Sequence, residues 1–254
     1  MTITLALPSE DLTFLSPLSQ ERAQKLVTFL ADGLHGTVLD VGCGWGELLL
    51  RVLAAAPEAH GIGVDIDEAA LERGRRLAAA RGLSDRVTMV SGDGKVRTPE
   101  RADAVVCIGA SQVWGPPVED NMPLDYAAAL AAIRARVPRG ARVVYGEGIW
   151  SLPPTAEAVA PLAGRFDEFV SLAELVDLAV AQGFMPVAVH EAGLDEWDEF
   201  ESGFSARYAT WLAEHGPEHP DAAEVRARAA RQRTGYLAGY RGVMGMAYLA
   251  LIAV

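Results

Sequence analysis

Short, nearly continuous apolar runs alternate with Ala-, Leu- and Arg-rich segments of helical period over the first three quarters of the chain. Strands are predicted at residues 37–41, 61–66, 87–90, 104–108 and 142–145. Helices are predicted between them, near residues 19–32, 47–56, 68–81 and 124–136. Strands that are apolar along their whole length are typically parallel strands covered on both faces, and helical crossovers join such strands. The alternation therefore predicts an α/β fold with a doubly wound, mostly parallel sheet.

The pattern changes after residue 150. Ser171 is a candidate N-cap for a helix that ends near Gln182, and a sixth strand is predicted at 186–189. Residues 193–242 then predict two helices around the turn EHGPEHPD, and an apolar run at 244–254 predicts a last strand. We therefore expect a single domain over residues 1–254 with a helical insertion before its final strand. Its expected parts are an N-terminal helical segment at 1–36, a core at 37–190, a helical lid at 193–242 and a final strand at 243–254.

Composition excludes several classes of function. The 254 residues carry 34 acidic against 22 basic side chains, and the net charge of −12 disfavours binding to nucleic acid or to an anionic membrane surface. Charged residues interrupt every apolar run before the about 20 residues that a membrane-spanning helix needs. Only two cysteines occur, and the first ten residues lack the basic start of a secretory signal. We therefore expect a cytoplasmic protein with a small-molecule partner.

A glycine-rich loop follows the first predicted strand. Residues 38–47 read VLDVGCGWGE, with glycines at 42, 44 and 46 between a strand and a helix. Glycines at this spacing allow a tight turn and a close approach of a ligand to the backbone. Asp65 ends the next strand, where a carboxylate can bind ribose hydroxyls. Together these features predict a site for a cofactor that contains a nucleoside.

Charge distinguishes between the candidate cofactors. A dinucleotide loop has glycine where this chain has Glu47, and Asp40 would face a pyrophosphate unfavourably. S-adenosylmethionine (SAM) has no phosphate and carries a sulfonium and an ammonium, which Asp40 would favour. The sequence therefore predicts SAM as the cofactor and leaves a nicotinamide dinucleotide as the weaker alternative.

The segment Asp40-Val-Gly42-Cys-Gly44-Trp-Gly46 resembles the D/E-x-G-x-G-x-G signature of the class I SAM-dependent methyltransferases. Further segments similar to that family follow in its order: GVDID at 63–67, SGDG at 91–94, ADAVVCIGA at 102–110 and VPRGARVVYGEG at 137–148. The resemblance covers about residues 20–190. It implies a Rossmann-like, seven-stranded sheet whose last strand is antiparallel and is inserted beside the fifth.

The resemblance also implies roles for individual residues. Asp65 would bind the ribose hydroxyls, Ile66 would pack on the adenine, and Asp93 would accept from the adenine amino group. The glycines of the loop would line the methionine part of SAM. The full expected cofactor-binding set is Asp40, Gly42, Cys43, Gly44, Asp65, Ile66, Asp93, Gly94 and Ile108. Cys43 and Cys107 are otherwise expected to be small core residues and not nucleophiles.

Glu147 is the strongest candidate for a general base. It follows the fifth predicted strand between two glycines, at the sheet edge where catalytic groups of open α/β sheets lie. Burial against Trp150 would raise the pKa of its carboxyl group into a range useful for proton transfer. The alternatives are that Glu147 only hydrogen-bonds to the backbone or fixes Arg241, and that His190, at the end of the sixth strand, is the base. No His, Asp or Glu spacing is typical of a metal site, so no metal is expected.

The acceptor site is predicted from aromatic residues. Trp197, Phe200, Phe204, Tyr208 and Trp211 recur at intervals of three and four, which predicts one apolar face of a helix in the insertion. The residues expected to contact the acceptor are Trp114, Trp150, Phe204, Tyr208 and Tyr240. The acidic residues at 195–201 are expected to form a solvated face, with recruitment of a cationic amine as the alternative.

These observations favour transfer of a methyl group to an oxygen, nitrogen or carbon nucleophile of a small molecule, by in-line displacement. The loop after the fourth strand, IGASQVWG, lacks the Asn/Asp-Pro-Pro-Tyr motif of enzymes that methylate amino groups of nucleic acids. Two alternatives remain at this point, a SAM-using enzyme with a non-methylating outcome and a non-catalytic SAM-binding protein. The sequence is compatible with a monomer and with a homodimer.

Overall fold

The computed structural model describes residues 12–116 and 120–254, which contain a seven-stranded sheet of order β3-β2-β1-β4-β5-β7-β6. The strands are β1 (Thr37–Val41), β2 (His60–Asp65), β3 (Val87–Ser91), β4 (Ala104–Ile108), β5 (Arg142–Trp150), β6 (Phe184–Glu191) and β7 (Met244–Ala253). Only β7 runs antiparallel to its neighbours, and it lies between β5 and β6. The predicted fold class is therefore confirmed, including the place of the last strand. The predicted N-terminal segment begins outside the described residues.

Helices cover both faces of the sheet. They are α1 (Gln20–Ala31), α2 (Glu47–Ala55), α3 (Glu68–Ala80), α4 (Gly94–Arg97), α5 (Tyr126–Arg136), α6 (Ala156–Val159), α7 (Leu172–Ala181), α8 (Leu194–His215) and α9 (Ala222–Gly235), followed by a π-helical turn at Tyr236–Tyr240. The predicted cap Ser171 is present and forms a capping box with Glu174 at the start of α7. Asp67 caps α3 in the same way, by accepting hydrogen bonds from backbone amides. Within the described residues, none of these helices has the length and apolar character needed to cross a bilayer.

Two apolar layers explain why the strands are apolar along their whole length. One layer packs α1 and α2 against the sheet, with Leu26 and Leu49 fully buried. The other packs α5 and α7 against the opposite face, with Leu130 and Phe184 fully buried. Burial of a leucine or phenylalanine side chain contributes about 2 kcal/mol, so these layers supply the main stabilisation of the sheet.

β5 is longer than the sequence predicted, and this changes the position of Glu147. Its parallel pairing with β4 stops at Ile108 and Gly146, but its antiparallel pairing with β7 continues to Trp150 and Met244. The strand predicted at 142–145 is too short because that prediction did not include the pairing of β5 with β7. Glu147 therefore lies inside β5, at the first residue beyond the end of β4, and does not end the strand.

Gly74 allows α3 to pack closely on the glycine-rich loop. A Cβ atom at this residue would lie 2.8 Å from the carbonyl oxygen of Trp45 and 3.0 Å from the Cε atom of Met89. At an unconstrained helix position alanine is more stable than glycine by about 1 kcal/mol. Here we expect the reverse: Gly74→Ala should lower the free energy of unfolding by about 1–3 kcal/mol, because the backbone of the loop must move.

Equilibrium unfolding in urea measures this difference. Ala79→Gly, at an exposed position of the same helix, is the matched control and should lose about 1 kcal/mol through helix propensity alone. A Gly74→Ala variant more stable than the wild type would refute the close packing of α3 on the loop.

Candidate functional site

A cleft of about 790 Å³ lies at the carboxyl ends of the parallel strands. Its floor is made by the loops that follow β1, β2, β3 and β4 and by the extended end of β5. Residues 14–18 and the first turns of α8 contribute the remaining walls. Because ligands of open α/β sheets bind outside the carboxyl ends of the strands, this cleft is the candidate active site.

The glycine-rich loop presents its backbone to the cleft. Gly42, Gly44 and Gly46 all have positive φ angles, of 66°, 54° and 68°, which side chains other than glycine rarely adopt. A Cβ atom at Gly42 would lie 2.4 Å from the Cβ atom of Ala110. The amides of Gly42 and Cys43 donate to the carbonyl oxygen of Val64, at 2.9 and 3.1 Å. The loop is thus held against β2 with its backbone open to a ligand.

Asp65 organises the wall beside this loop. Its Oδ2 atom accepts a hydrogen bond from the amide of Gly44 at 2.7 Å, and its Oδ1 atom accepts from the amide of Asp67 at 2.9 Å. A carboxylate has further lone pairs, so both oxygens can still accept hydroxyl protons. The adjacent Ile66 is 80% exposed and lines the cleft, where it offers an apolar surface to a flat ring.

Asp93 and Gly94 form the far end of the same wall. Asp93 Oδ1 accepts from the amide of Lys95 at 2.8 Å and so caps the short helix α4. Gly94 is buried, and a Cβ atom there would lie 2.9 Å from the Cγ1 atom of Val113. Ile108 and Cys43 also line the cleft. The whole predicted cofactor-binding set therefore lies in the lining of one cavity.

Asp40 is buried in the cleft without a partner. Its side chain is 4% exposed, and within the described part of the chain no donor hydrogen-bonds to its carboxylate. Burial, and next to it the negative charge of Asp65, raise the pKa of Asp40 well above its usual range. An ionised carboxylate in such a place needs a counter-charge, so the site is complementary to a cationic ligand.

Asp40→Asn is expected to change the pH dependence of stability in the ligand-free protein. The folded-state pKa of Asp40 is raised, so the stability that its protonated form contributes is complete at acidic pH and is lost as the pH rises through that pKa. The melting temperature of Asp40→Asn should therefore increase relative to that of the wild type as the pH rises from 4 to 8.

Thermal unfolding at a series of pH values measures this gain. Asp85→Asn, at an exposed position, is the control and should follow the wild type at every pH. A constant difference between wild type and Asp40→Asn across the range would contradict a raised pKa.

Glu147 is the second buried carboxylate in the lining. It is 6% exposed; Oε2 accepts from the amide of Ser111 and Oε1 from the amide of Gly148, each at 3.0 Å. Burial raises the pKa of Glu147, and the hydrogen bonds from Ser111 and Gly148 partly oppose this effect. Arg241 forms an ion pair with Asp198, so Glu147 does not hold it.

His190 lies outside the lining of this cleft as the structure describes it, on an exposed edge of the sheet near Arg22. Partial burial and the charges of Arg22 and Lys25 lower its pKa. The placement therefore gives no support to His190 as the base, whereas Glu147 lies where a proton can be transferred.

The two tryptophans that were expected to contact an acceptor pack elsewhere. Trp114 lies in the apolar layer under α5, with the guanidinium carbon of Arg136 5.7 Å from its ring centroid. Trp150 donates from Nε1 to the carbonyl oxygen of Phe166 at 3.0 Å and packs edge-on against Phe169. Among the described residues that line the cleft, neither tryptophan is present.

The aromatic residues of α8 that line the cleft are not the ones that were expected to contact the acceptor. Phe204, Tyr208 and Tyr240 are not among the described lining residues, whereas Trp197 and Phe200 are. Phe204 packs behind Phe200, at 5.2 Å between ring centroids, and the hydroxyl of Tyr240 donates to Glu201 Oε1 at 2.7 Å. Of the five aromatic residues of the predicted stripe only Trp197 is buried, and the other four are partly exposed. Only the first turns of α8 lie over the cleft.

Many of the lining residues were missed by sequence reasoning, among them Phe14, Leu18, Met244 and Met246. Phe14 and Leu18 come from the segment before α1, and Met244 and Met246 come from β7. The pairing of Trp150 with Met244 brings the start of β7 next to the end of β5, beside Glu147. Nothing local in the sequence marks these residues. The antiparallel register of β7 places Met244 and Met246, and packing of the segment before α1 places Phe14 and Leu18.

Several acidic residues of α8 are engaged in contacts outside the cleft. Glu196 accepts from the guanidinium of Arg22 at 2.8 and 3.0 Å and from the amide of Ser19. Burial opposes ionisation of Glu196, but these hydrogen bonds lower its pKa to about 2. Asp198 pairs with Arg241. These side chains join α8 to its neighbours, so the structure does not support them as a recruiting surface for an amine.

The chemistry of the two cysteines is that of core residues. Cys43 and Cys107 are unpaired, and burial raises the pKa of both thiols well above the ordinary value. Raised thiol pKa values disfavour the thiolate that a nucleophile needs. In residues 12–116 and 120–254, no three His, Cys, Asp or Glu side chains are grouped to hold a metal ion.

Comparison with known proteins finds similar sequences and similar folds among methyltransferases. Residues 38–132 match the family described as "Methyltransferase domain". A SAM-dependent methyltransferase from Thiobacillus denitrificans, solved in complex with S-adenosyl-L-homocysteine (SAH), is 26% identical. The comparison covers 99% of this chain and 97% of that one, with a TM-score of 0.80. A SAM-dependent methyltransferase from Geobacter sulfurreducens has the same fold, with 24% identity, a TM-score of 0.83 and coverage of 100% and 99% of the two chains.

A curated relative matches over a shorter stretch. Phenazine O-methyltransferase from Lysobacter antibioticus is 43% identical over 70 residues, which is 28% of this chain. The chain spans 20% of the length of that relative. Residues 38–132 thus match a methyltransferase domain, and the chain has the fold of the class I SAM-dependent methyltransferases.

Proposed function

We propose that the protein transfers a methyl group from SAM to an oxygen, nitrogen or carbon nucleophile of a small molecule. The observation that carries this proposal is the buried carboxylate of Asp40, which has no hydrogen-bond partner among the described residues and lies in one cleft with the open backbone of the glycine-rich loop and with Asp65. SAM presents both a cation and a nucleoside, and this combination matches the two kinds of group that the cleft offers.

The residues of the cleft fit SAM in the following way. Asp65 would accept from the ribose hydroxyls, Ile66 would pack on the adenine ring, and Asp93 would accept from the adenine amino group. Asp40 would face the ammonium of the methionine part, beside the backbone of Gly42 and Gly44. Cys43, Gly94 and Ile108 would complete the contact surface of the donor.

A nicotinamide dinucleotide fits the same residues poorly. Its pyrophosphate would bring negative charge toward the buried carboxylate of Asp40, which no cation of the described residues offsets. Glu47, at the position of the third glycine of a dinucleotide loop, pairs with Arg51 and Arg81 and so fixes α2. The charge of the cleft therefore favours SAM over a dinucleotide.

Glu147 would act as the general base. SAM supplies an electrophilic methyl group on a sulfonium, so the protein has to hold the acceptor in line with that methyl and remove a proton where the acceptor carries one. Glu147 lines the cleft, and its buried carboxyl group has a raised pKa, which makes it a better proton acceptor than an exposed glutamate. Trp197 and Phe200 would exclude water from the reacting atoms.

Residues 193–242 would serve as a lid over the acceptor, because the first turns of α8 form one wall of the cleft. Every group named here comes from one chain, so a monomer and a homodimer serve the proposed function equally. The two unpaired cysteines fit a reducing compartment, for which the cytoplasm is our proposal.

Calorimetric titration with SAM, SAH and NADH in parallel tests the donor site. We expect micromolar binding of SAM and SAH and no binding of NADH. Binding of NADH alone would overturn the proposal. Incubation with methyl-labelled SAM and a panel of amine, phenol and carbon-acid acceptors then tests the reaction, and SAM binding without transfer of label to any acceptor would favour a non-methylating role.

A further inference from the structure

The cleft has a second part beyond the residues assigned to the donor, and its lining is apolar. Its lining includes six apolar residues: Phe14, Leu18, Trp197, Phe200, Met244 and Met246. They come from the segment before α1, from the first turns of α8 and from the start of β7. Three elements distant in sequence therefore surround one apolar space next to Glu147, which we name the acceptor pocket.

The charge around this pocket is one-sided. Among the cleft residues that the structure describes, the carboxylates of Asp40, Glu47, Asp65, Asp93 and Glu147 stand against the single ammonium of Lys95. Glu47 is paired with two arginines, and Lys95 lies in α4 on the donor side, next to Asp93. Glu147 adjoins the acceptor pocket, because it pairs with Ala247 in β7, next to Met246.

A bound donor does not reverse this balance. SAM carries one net positive charge, which Asp40 alone offsets, so the excess of carboxylates persists when the donor is in place. An anionic acceptor would be held in a low-dielectric cleft close to Glu147 with no cation of the described lining beside it. A cationic acceptor would instead be attracted by Glu147, and the ring of Trp197 offers a further surface to a cation.

We infer that the acceptor is an amine with an apolar, ring-sized body, bound as its ammonium form with the nitrogen toward Glu147. This inference rests on the proposed function. The carboxylate of Glu147 accepts from the amides of Ser111 and Gly148 at 3.0 Å each. It also lines the cleft, so the ammonium of a bound acceptor can donate to the same carboxylate. The apolar body fills the space between Phe14, Trp197 and Met244.

The reaction balances with Glu147 as proton acceptor. One proton passes from the ammonium to the Glu147 carboxylate and leaves a neutral amine with a free electron pair. That pair forms the bond from nitrogen to the methyl carbon while the bond from carbon to sulfur breaks, and its electrons stay on sulfur. The products are a methylated ammonium, SAH and a protonated Glu147, which returns its proton to solvent when the pocket opens.

A matched series of ligands tests the inference on the SAH-saturated protein. Phenethylamine, phenethyl alcohol and phenylacetate share one ring and differ in charge. The protein is labelled on its methionine methyl groups, and the signals of Met244 and Met246 are assigned by Met244→Leu and Met246→Leu. We expect the amine to shift these two signals with an affinity about 10-fold higher than that of the alcohol, and the carboxylate to bind more weakly than both.

The same titrations on two variants locate the cause. In Glu147→Gln the preference for amine over alcohol should fall to within about 2-fold, because the charge that attracts the ammonium is gone. Glu201→Gln is the matched control: it removes another buried carboxylate, outside the described lining, and should retain the preference. The wild-type series does not depend on Glu147→Gln, so the inference stays testable if that variant does not fold.

Each result has one meaning. SAH binding is measured first on the same samples, and its absence would remove the proposed function itself. If SAH binds but the alcohol or the carboxylate equals the amine, the proposed function stands and the amine inference is wrong. An amine preference that persists in Glu147→Gln also overturns the inference.

Discussion

Asp65→Ala is expected to weaken binding of SAM and SAH by about 100-fold or more. The carboxylate would accept from the ribose hydroxyls, and hydrogen bonds to a charged group contribute about 1.5–3 kcal/mol each. The substitution also removes the carboxylate that accepts from the amide of Gly44 at 2.7 Å, so the glycine-rich loop loses a hydrogen bond that stabilises its conformation. A loss of about 3 kcal/mol corresponds to the expected change in affinity. Calorimetric titration with SAH measures it directly.

Asp67→Ala separates this effect from general damage to the same turn. Asp67 caps α3 by accepting from the amides of Ala69 and Ala70, and loss of a cap costs about 1 kcal/mol of stability. We expect Asp67→Ala to melt at a lower temperature and yet to bind SAH within about 3-fold of the wild type. Equal losses of affinity in the two variants would show that Asp65 acts only through the fold of the turn.

Glu147→Gln is expected to lower the turnover of methyl transfer by about 100-fold to 10,000-fold, the usual contribution of a general base. The glutamine side chain has nearly the same shape and cannot take a proton. The wild-type rate should rise with pH as Glu147 ionises, with an apparent pKa above the ordinary value of 4.5, because burial raises the pKa of this group. The rate of the variant should not follow that titration. Initial rates with methyl-labelled SAM across the pH range measure both.

Two controls keep this result specific. Calorimetry with SAM on Glu147→Gln shows whether the donor site has survived the substitution. Glu201→Gln changes a glutamate whose pKa burial also raises, but which bonds to Tyr240 and Gln232 outside the described lining, and it should keep its turnover and pH profile. A Glu147→Gln variant that binds SAM and turns over like the wild type would remove Glu147 as the base.

The donor side of the cleft was predictable because it is local in the sequence. The loop from Asp40 to Gly46 and the carboxylate of Asp65 each follow a strand of a parallel sheet, and the ends of such strands meet at one edge. Once the alternation of strands and helices was recognised, the place of these residues followed from topology. The structure brings them into one cavity as expected.

The acceptor side was not predictable in the same way. Trp114 follows a strand and Trp150 ends one, which are positions expected of acceptor-binding residues. The ring of Trp114 instead lies in the apolar layer that contains Tyr126, and the ring of Trp150 packs against Phe169. On α8, the 3.6-residue period assigns Trp197 and Phe204 to one face without indicating where the helix crosses the cleft. That crossing depends on tertiary contacts, among them the ion pair between Arg22 and Glu196.

Local patterns in the sequence predicted the succession of strands and helices along the chain, the N-cap of α7 and the glycine-rich donor loop, because each of these depends on residues that are neighbours in the chain. Three features depended on tertiary structure: the extension of β5 past β4, the burial of Asp40 without a hydrogen-bond partner among the described residues, and the meeting of Met244, Trp197 and Phe14 in one cleft with Glu147. Those features arise from an antiparallel register and from packing between elements up to about two hundred residues apart, and local patterns do not encode such long-range contacts.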